Sequence, residues 1–423
     1  MIRPKRLLAA LTASVMMMLT ACGDEAVVHE QNETVEITLS WWGNDLRTEY
    51  TLKAISKFEE KYPYIKVKSS YSEWSGYEAR SKVQMMSNTE ADVMQINAGW
   101  LPQYSKDGSG YYDIEKLKEY VDLTNFPEEI LEYGRRGGVL NAIPIAMNAE
   151  TVYINKTVYE KYGLSVPTTW NELFEAAKVM SPDGVYPMSG ADKSLWLYMI
   201  AYTEQQNGKH FFDENGAITF DKADLKMMIE FYCRLVKENV IPKMEDYQRL
   251  NIDSGVYAGT IAWVSDAMNY NNAALDNGFE VIPAPYTADE KSESGEGWYA
   301  KPATLYAISK NTQHPKEAAL LLDFMLNSPE WAELQGVEKG IPLSQAVRDH
   351  LKDIGQLDGI QYEASLVMEQ NEYISPMNSE IENTALFNAF YDCSNMVLFD
   401  KATADEAAEK LYESFKENYT LIN

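Results

Sequence analysis

The alternation of apolar and polar residues near the start of the folded region predicts a strand followed by a helix. Apolar side chains alternate over residues 35–42, and the Gly43-Asn44 pair after them predicts a loop. Four apolar residues then recur at spacings of 3, 3 and 4 until Pro63, which predicts a helix with one buried face. They are Leu52, Ile55, Phe58 and Tyr62.

The same two patterns continue in the next part of the chain. A second strand is predicted from Ile65, a helix over 77–86 and a third strand over 92–96. This βαβαβ order predicts a parallel sheet, because such crossovers are right-handed, and ligands of open parallel sheets lie at the carboxyl ends of the strands. Four residues are expected at those ends: Trp42, Gly43, Asn97 and Trp100.

Capping signals predict helices in the remainder of the chain. Thr169 and Glu172 form a capping box that begins a helix ending near Met180, and Thr403 and Glu406 form a second one. The other predicted features are helix starts at Pro315 and Ser328, a buried Trp170, and a last apolar face of Ala408, Leu411 and Phe415.

The first 21 residues have the pattern of an export signal. Three basic residues precede an apolar run over 7–19 that is too short to span a membrane. The run ends in Leu19-Thr20-Ala21-Cys22, which resembles the lipobox of bacterial lipoprotein signals. We therefore expect acylation of the Cys22 sulfur and anchoring at the extracytoplasmic face of the cell membrane. The alternative is an ordinary signal peptide that a cysteine follows by chance. Residues 22–34, polar and acidic, predict a flexible tether.

Length and charge limit the fold and the partners. The residues after the tether are too many for one typical core, so two domains are predicted. Lys and Arg number 37 against 64 Asp and Glu, and the net charge of −27 becomes −30 when the three basic residues of the leader are removed. Such a surface repels phosphate backbones, which argues against nucleic acid as a partner.

Two cysteines remain besides Cys22, and they lie far apart in the sequence. We interpret Cys233 and Cys393 as buried thiols, since two cysteines are not a disulfide framework. The alternative is that they pair, because an exported chain meets oxidising conditions.

Seven short segments of the mature chain, in the order in which they occur, form a recognisable pattern. They are Leu39-Ser40-Trp41-Trp42-Gly43, Phe58-Glu59-Glu60-Lys61-Tyr62-Pro63, Ala91-Asp92-Val93-Met94-Gln95, Ile143-Pro144-Ile145-Ala146-Met147-Asn148, Tyr153-Ile154-Asn155-Lys156, Pro167-Thr168-Thr169-Trp170-Asn171-Glu172-Leu173 and Gly340-Ile341-Pro342-Leu343-Ser344. Their order and spacing resemble extracellular solute-binding protein family 1, the sugar-binding lipoproteins of ABC importers. The stretch 135–141 departs from the family's usual Gly-Lys-Leu-Tyr lead-in to Ile143-Pro144.

The resemblance implies an α/β periplasmic-binding-protein-like fold of two lobes, with the ligand in a cleft between them. Closure of the lobes would desolvate the ligand and change the surface shown to the transporter. The resemblance places lobe one at 35–147 and 280–335, and lobe two at 148–279 and 336–423. It implies an oligosaccharide ligand, ABC permease subunits as partners, contact with the membrane through the lipid anchor, a monomer and no cofactor.

A sugar site combines flat aromatic surfaces with hydrogen-bonding side chains. Five tryptophans next to loop signals are candidates for stacking on a sugar, with core packing as the alternative for each: Trp42, Trp74, Trp100, Trp196 and Trp298. Four polar residues are candidates for hydrogen bonds, with solvated or capping roles as the alternative: Asn97, Asn148, Asp192 and Asp266. Trp41 should be buried because it alternates with Trp42, whereas Trp263 suits the core and the site equally.

Two basic residues bear on the charge of the sugar. Arg47 and Lys301 are candidates to pair with a uronate carboxylate, with an exposed salt bridge as the alternative. Arg47, Trp74 and Trp100 after the paired tryptophans resemble a subgroup that binds plant oligosaccharides, including pectin fragments. The acidic body favours neutral oligosaccharides from hemicellulose or starch, and pectin-derived uronates are the alternative.

No catalytic motif stands out in the sequence. The four histidines lack metal-ligand spacing, and neither a phosphate-binding Gly-rich loop nor a Gly-x-Ser-x-Gly elbow occurs. We therefore predict a binding protein and no enzyme. A surface glycoside hydrolase stays open, since 64 acidic residues guarantee chance carboxylate pairs. A scaffold or adhesin would fit the lipobox but leaves the aromatic residues near loops unexplained.

Overall fold

The computed structural model describes residues 34–213, 215–248, 252–293 and 295–421. The predicted leader, the acylation site at Cys22 and nearly all of the tether lie outside these residues, so those predictions remain untested. Within the described ranges, no helix combines the length and apolar character needed to cross a membrane.

The described chain alternates helices and strands from end to end. The strands are β1 (Val35–Trp42), β2 (Ile65–Ser72), β3 (Val93–Ile96), β4 (Arg135–Arg136), β5 (Val139–Leu140), β6 (Ala142–Asn155), β7 (Gly259–Trp263), β8 (Val281–Ala284), β9 (Tyr299–Ile308) and β10 (Ser375–Pro376). The α-helices are α1 (Asp45–Lys61), α2 (Trp74–Ser87), α3 (Trp100–Tyr104), α4 (Glu128–Glu132), α5 (Lys156–Lys161), α6 (Trp170–Met180), α7 (Asp192–Asn207), α8 (Lys222–Lys237), α9 (Ala267–Asp276), α10 (Pro315–Asn327), α11 (Pro329–Gln335), α12 (Gln345–Asp353), α13 (Gly359–Glu369), α14 (Thr384–Leu398) and α15 (Ala404–Lys416).

The predicted βαβαβ unit and its parallel pairing are confirmed. β1 pairs with β2 in parallel along its whole length and with β3 through Leu39 and Ser40. The prediction that Leu52 lies on the buried face of α1 is wrong, because its side chain is 38% exposed. The buried stripe is instead centred on Ala54 and Phe58, and a helical rotation of about 100° per residue carries Leu52 to its side.

The helix starts that were predicted from capping residues are confirmed. Both capping boxes are present, at Thr169 before α6 and at Thr403 before α15, because such caps depend on residues three positions apart. The predicted helix starts at Pro315 and Ser328 correspond to α10 and α11. Among the described residues, Cys233 and Cys393 are free, buried thiols, so the buried-thiol prediction is confirmed and pairing is not.

One sheet of eight strands connects the two ends of the fold. Its order is β2-β1-β3-β9-β6-β7, with β10 added beside β9 and β8 beside β6. β6 is shared between two sets of partners: residues 142–149 pair with β9, whereas residues 150–155 pair with β7 and β8. The register of β6 against β9 shifts between Pro144 and Met147. This irregularity lies beside the predicted lobe boundary at 147/148.

Two large apolar cores flank this shared strand. The first core packs α1 and α10 against β1 and contains the buried Trp41. The second core packs α6, α7, α8, α14 and α15 together and contains Trp170, so both tryptophans are buried as predicted. Ala284 and Trp298 belong to the second core. The lobe boundaries stay a prediction, and this packing favours a crossing near residue 300 over one at 280.

Candidate functional site

A groove of about 1070 Å³, which we name the central groove, runs between segments of both predicted lobes. Five segments line it. They are the loop after β3, residues 133–136 at β4, residues 210–213 and 215–216, the first residues of β9, and residues 375–382. The principal lining residues are Asn97, Gly99, Pro102, Tyr133, Arg136, His210, Phe212, Asp213, Tyr299, Lys301, Ser375, Met377, Asn378, Glu380 and Glu382. Asn97, predicted at the carboxyl end of β3, therefore lies at the groove.

An aromatic cluster lies behind the Asn97 wall of the groove. The centroid of the Trp74 ring lies 4.9 Å from that of Trp42 and 6.1 Å from that of Trp100, and Tyr77 contacts Trp42 and Trp100. The structure thus brings together three of the five candidate tryptophans at the carboxyl ends of β1 and β3. Trp74 is 38% exposed and offers a ring face, whereas Trp100 is 4% exposed and supports the others.

A lysine–glutamate cluster forms part of the opposite wall. Glu382 makes salt bridges with Lys301 and with Lys193, whose Nζ lies 2.7 Å from the carboxylate. Burial raises the pKa of Glu382, but the two ammonium groups outweigh it and hold that pKa below its usual value. Lys301 also lies over the Trp263 ring, 4.4 Å from its centroid. The basic candidate Lys301 is therefore engaged in a salt bridge, the alternative stated for it, although it shares the single Glu382 carboxylate with Lys193.

The remaining polar candidates lie near this cluster. Asn148 is opposite Lys301 in the β6–β9 ladder and exchanges hydrogen bonds with Ser265, at 3.1 and 3.2 Å. Asp192 is exposed at the start of α7, and Asp266 ends a short 3₁₀ turn before α9. All three lie outside the lining of the central groove. The structure leaves a direct ligand contact of these residues as a prediction.

Glu150 is a buried carboxyl close to the same cluster. Ser194 donates a hydrogen bond to it at 2.9 Å, and it is 2% exposed. Burial raises the pKa of Glu150 to about 8, against the opposing effect of Ser194 and Lys193. Burial therefore disfavours a negative charge on Glu150 beside the cluster.

Two candidate tryptophans are placed in the second core. Trp196 is fully buried inside α7 and donates its indole N–H to the Ile381 carbonyl at 2.8 Å. Trp298 is 2% exposed and donates to the Thr287 carbonyl at 3.4 Å. The flanking glycines suggested loops, but Gly297 packs against the backbone of α7, so this turn folds inward. The expectation that these two rings face a cleft is not met.

Arg47 is held away from the groove by the segment after α11. Its Nε lies 3.1 Å from the Glu338 carboxylate and its Nη2 donates to the Glu338 carbonyl at 2.9 Å. Next to it, buried Lys339 donates to Gln95 and Tyr306. Burial and the charge of Arg47 lower the pKa of Lys339 to about 7. The salt-bridge alternative for Arg47 is therefore the one that the structure shows.

Several residues of the groove and its surroundings were not among the predicted site residues. His210 Nδ1 lies 3.1 Å from the buried Glu204 carboxylate, which also accepts a hydrogen bond from the Tyr299 hydroxyl. The hydrogen bond to Glu204 raises the pKa of His210 above its ordinary value. Arg136 had a signal, since it lies in the stretch that departs from the family lead-in. In the described ranges, no group of three His, Cys, Asp or Glu side chains is placed to hold a metal ion.

A family model described as bacterial extracellular solute-binding protein matches residues 44–330. The chain belongs to this family. The predicted family and the α/β fold of two-lobe solute-binding proteins are thereby confirmed.

Relatives of this solute-binding protein include a sugar-binding protein and an ABC transporter extracellular-binding protein. It is 23% identical to the multiple sugar-binding protein of Streptococcus mutans over 365 residues, which is 79% of this chain and 81% of the relative. It is 25% identical to an uncharacterised ABC transporter extracellular-binding protein of Pyrococcus horikoshii over 224 residues, and the match spans about half of that relative.

Solved structures match the solute-binding protein over most of its length. An oligogalacturonide-binding protein of Yersinia enterocolitica is 30% identical with a TM-score of 0.78, covering 90% of this chain and 98% of that one. A de novo designed cysteine esterase is 29% identical with a TM-score of 0.85, covering 91% and 98%. Because the esterase was designed, it carries no argument for natural catalysis in this chain.

Proposed function

We propose that this solute-binding protein captures an oligosaccharide in the central groove and delivers it unchanged to the permease of an ABC importer. The observation that carries the proposal is the groove itself, about 1070 Å³ with aromatic and hydrogen-bonding residues on its walls. Sites for a single drug-sized molecule occupy about 300–1,000 Å³. The central groove therefore has room for more than one sugar ring.

The walls of the groove support capture by closure. Asn97 and Arg136 come from the predicted lobe one, whereas His210 and Glu382 come from the predicted lobe two. Movement of one wall toward the other would enclose a ligand and exclude water. Trp74 lies outside the groove lining but is 38% exposed, so its ring face is available for stacking on a sugar.

The carboxylates of the groove support binding without hydrolysis. A glycosidase needs one carboxyl that donates a proton and one that stays ionised at the scissile bond. Glu382 is held ionised by two lysines. Asp213 accepts hydrogen bonds from the backbone N–H groups of Asn215 and Ala217. Glu380 accepts them from the side chains of Asn383 and Tyr419. These groups are engaged with protein partners and serve the architecture of the walls.

Anchoring through Cys22 belongs to the same proposal. The lipobox-like sequence supports acylation there, which would keep a monomeric binding protein at the extracytoplasmic face of the membrane, beside its permease. The acidic tether would give the folded body reach from the bilayer.

A second candidate differs only in the sugar. Neutral oligosaccharides are favoured by the charge of −27, whereas the oligogalacturonide-binding neighbour of 30% identity favours pectin-derived uronates. Both candidates use the same groove and the same transport role.

The test uses the soluble Cys22→Ala protein with pools of neutral and uronic oligosaccharides. Isothermal calorimetry and tryptophan fluorescence should show saturable binding, and mass spectrometry should recover the sugar intact. Release of new reducing ends would indicate a hydrolase. Absence of heat with every pool would contradict sugar capture.

A further inference from the structure

Arg136 stands apart from the other cations of the central groove. It lines the groove, and its Nη1 donates to the Arg135 carbonyl at 3.1 Å. Within the described ranges, its Nε is buried without a hydrogen-bond partner and no carboxylate forms a salt bridge with it. The buried Nε is closed to a ligand, but Arg136 as a whole is half-buried and lines the groove, so the remaining N–H groups of its guanidinium can meet an anion there.

The neighbouring basic residues, unlike Arg136, are paired with carboxylates. Lys301 in the same groove is paired with Glu382, and His210 is bonded to Glu204. Arg135, the preceding residue, contacts three glutamates at 2.7–2.8 Å on the outer side. The whole chain has 64 acidic residues, yet within the described ranges no carboxylate forms a salt bridge with Arg136. Burial lowers the pKa of its guanidinium, which a bound anion would oppose.

The backbone holds Arg136 in place. β4 and β5 form a tight hairpin through Gly137 and Gly138, with φ of 54° and 78°. A side chain at Gly137 would lie 2.4 Å from the Asp107 carbonyl, and one at Gly108 would lie 2.4 Å from the Arg136 carbonyl. The hairpin is therefore packed directly on the 107–108 loop, and such a support limits the entropy lost on binding.

We propose that Arg136 binds a carboxylate of the ligand and is the residue that makes this groove selective for an acidic oligosaccharide. The inference rests on the proposed function, since it assigns a specificity to that groove. The planar fork of a guanidinium matches the two oxygens of a carboxylate. Tyr133 and Asn97 line the same groove and are available for sugar hydroxyls.

The experiment compares trigalacturonate with its methyl ester, which has the same length and no charge. Calorimetry is run on the soluble Cys22→Ala background for the parent, Arg136→Gln, Arg136→Lys and, as a matched charge control, Lys118→Gln. Lys118 is exposed and outside the groove lining. Thermal unfolding of each variant checks that it is folded.

We expect the parent to bind the free acid more tightly than the ester. Arg136→Gln should weaken binding of the acid about 10- to 100-fold, as expected for a charge-assisted hydrogen bond, and change binding of the ester less than about 3-fold. Arg136→Lys should retain part of the affinity, and Lys118→Gln should match the parent. High salt should reduce the preference of the parent for the acid.

Three results would overturn the inference while leaving sugar capture intact. They are equal binding of acid and ester by the parent, an equal loss for both ligands in Arg136→Gln, and unchanged binding of the acid in that variant. Tighter, Arg136-dependent binding of glycerol 3-phosphate would show that a phosphate is recognised, which also overturns it. If the parent binds neither these ligands nor neutral xylo-oligosaccharides, the proposed function itself fails.

Discussion

Replacing Trp298 by alanine tests whether its ring stabilises the second core or contacts the ligand. Its side chain is 2% exposed, and its centroid lies 4.7 Å from the Tyr286 ring and 5.6 Å from the Tyr198 ring. Truncating a buried tryptophan costs about 3–5 kcal/mol, and the lost aromatic contacts belong to that cost. For a cooperative unit of about 200 residues, each kcal/mol lowers Tm by about 2–4 °C. We therefore expect Trp298→Ala to lower Tm by roughly 10 °C.

The assay is thermal unfolding by circular dichroism, with sugar affinity measured at a temperature where the variant is folded. Trp74→Ala is the matched control, because the same ring is 38% exposed there. We expect this control to keep Tm within about 2 °C and to weaken sugar binding by about 1 kcal/mol, roughly 5-fold. Native stability with lost affinity in Trp298→Ala would refute the assignment of the ring to the core.

Three further predictions concern titration, anchoring and thiol chemistry. The hydrogen bond to Glu204 raises the pKa of His210, so it stabilises the fold below the unfolded pKa of about 6.5 and is lost as pH rises through the folded pKa. Relative to His210→Gln, the parent should gain Tm at pH 5 and none at pH 9, with under about 1 kcal/mol involved because His210 is largely exposed. Cys22→Ala should move the protein from the membrane pellet to the soluble fraction, and retention in the pellet would contradict lipid anchoring. Burial raises the pKa of Cys233 to about 11 and also that of Cys393, so a thiol reagent should label both only after unfolding. Rapid labelling of the native protein would contradict that burial.

The elements that sequence predicted well are those set by neighbouring residues. Capping at Thr169 and Thr403 and the alternation in β1 need only a few positions, so the pattern contains the answer. The placement of Trp42 and Trp100 also followed, because the carboxyl ends of β1 and β3 must meet at one edge of a parallel sheet. The contacts of both rings with Trp74 and Tyr77 of α2 were not predicted.

The far wall of the groove could not be predicted in that way. Tyr299 and Ser375 are paired across a β bridge that joins distant parts of the chain, and no local pattern indicates that contact. The failure at Trp298 has a similar cause, since only packing against α7 decides that its turn points inward. Arg136 was visible in the sequence as a departure from a family pattern. The lack of a salt bridge to it within the described ranges depends on distant segments and has no local pattern.

The shared strand β6 has a consequence for any attempt to divide the molecule. Its first half is hydrogen-bonded to β9 and its second half to β7 and β8, so one strand joins two sets of partners. A chain cut between residues 147 and 148 would place β3 and the first residues of β6 in one fragment and their partner β9 in the other. Each separated fragment would expose a row of unsatisfied backbone N–H and C=O groups along the edges that had been paired. Such rows are templates for pairing with other chains, so the fragments should reassociate or aggregate. The two apolar cores are thus packed separately, yet neither fragment would keep all of its backbone hydrogen bonds without the other.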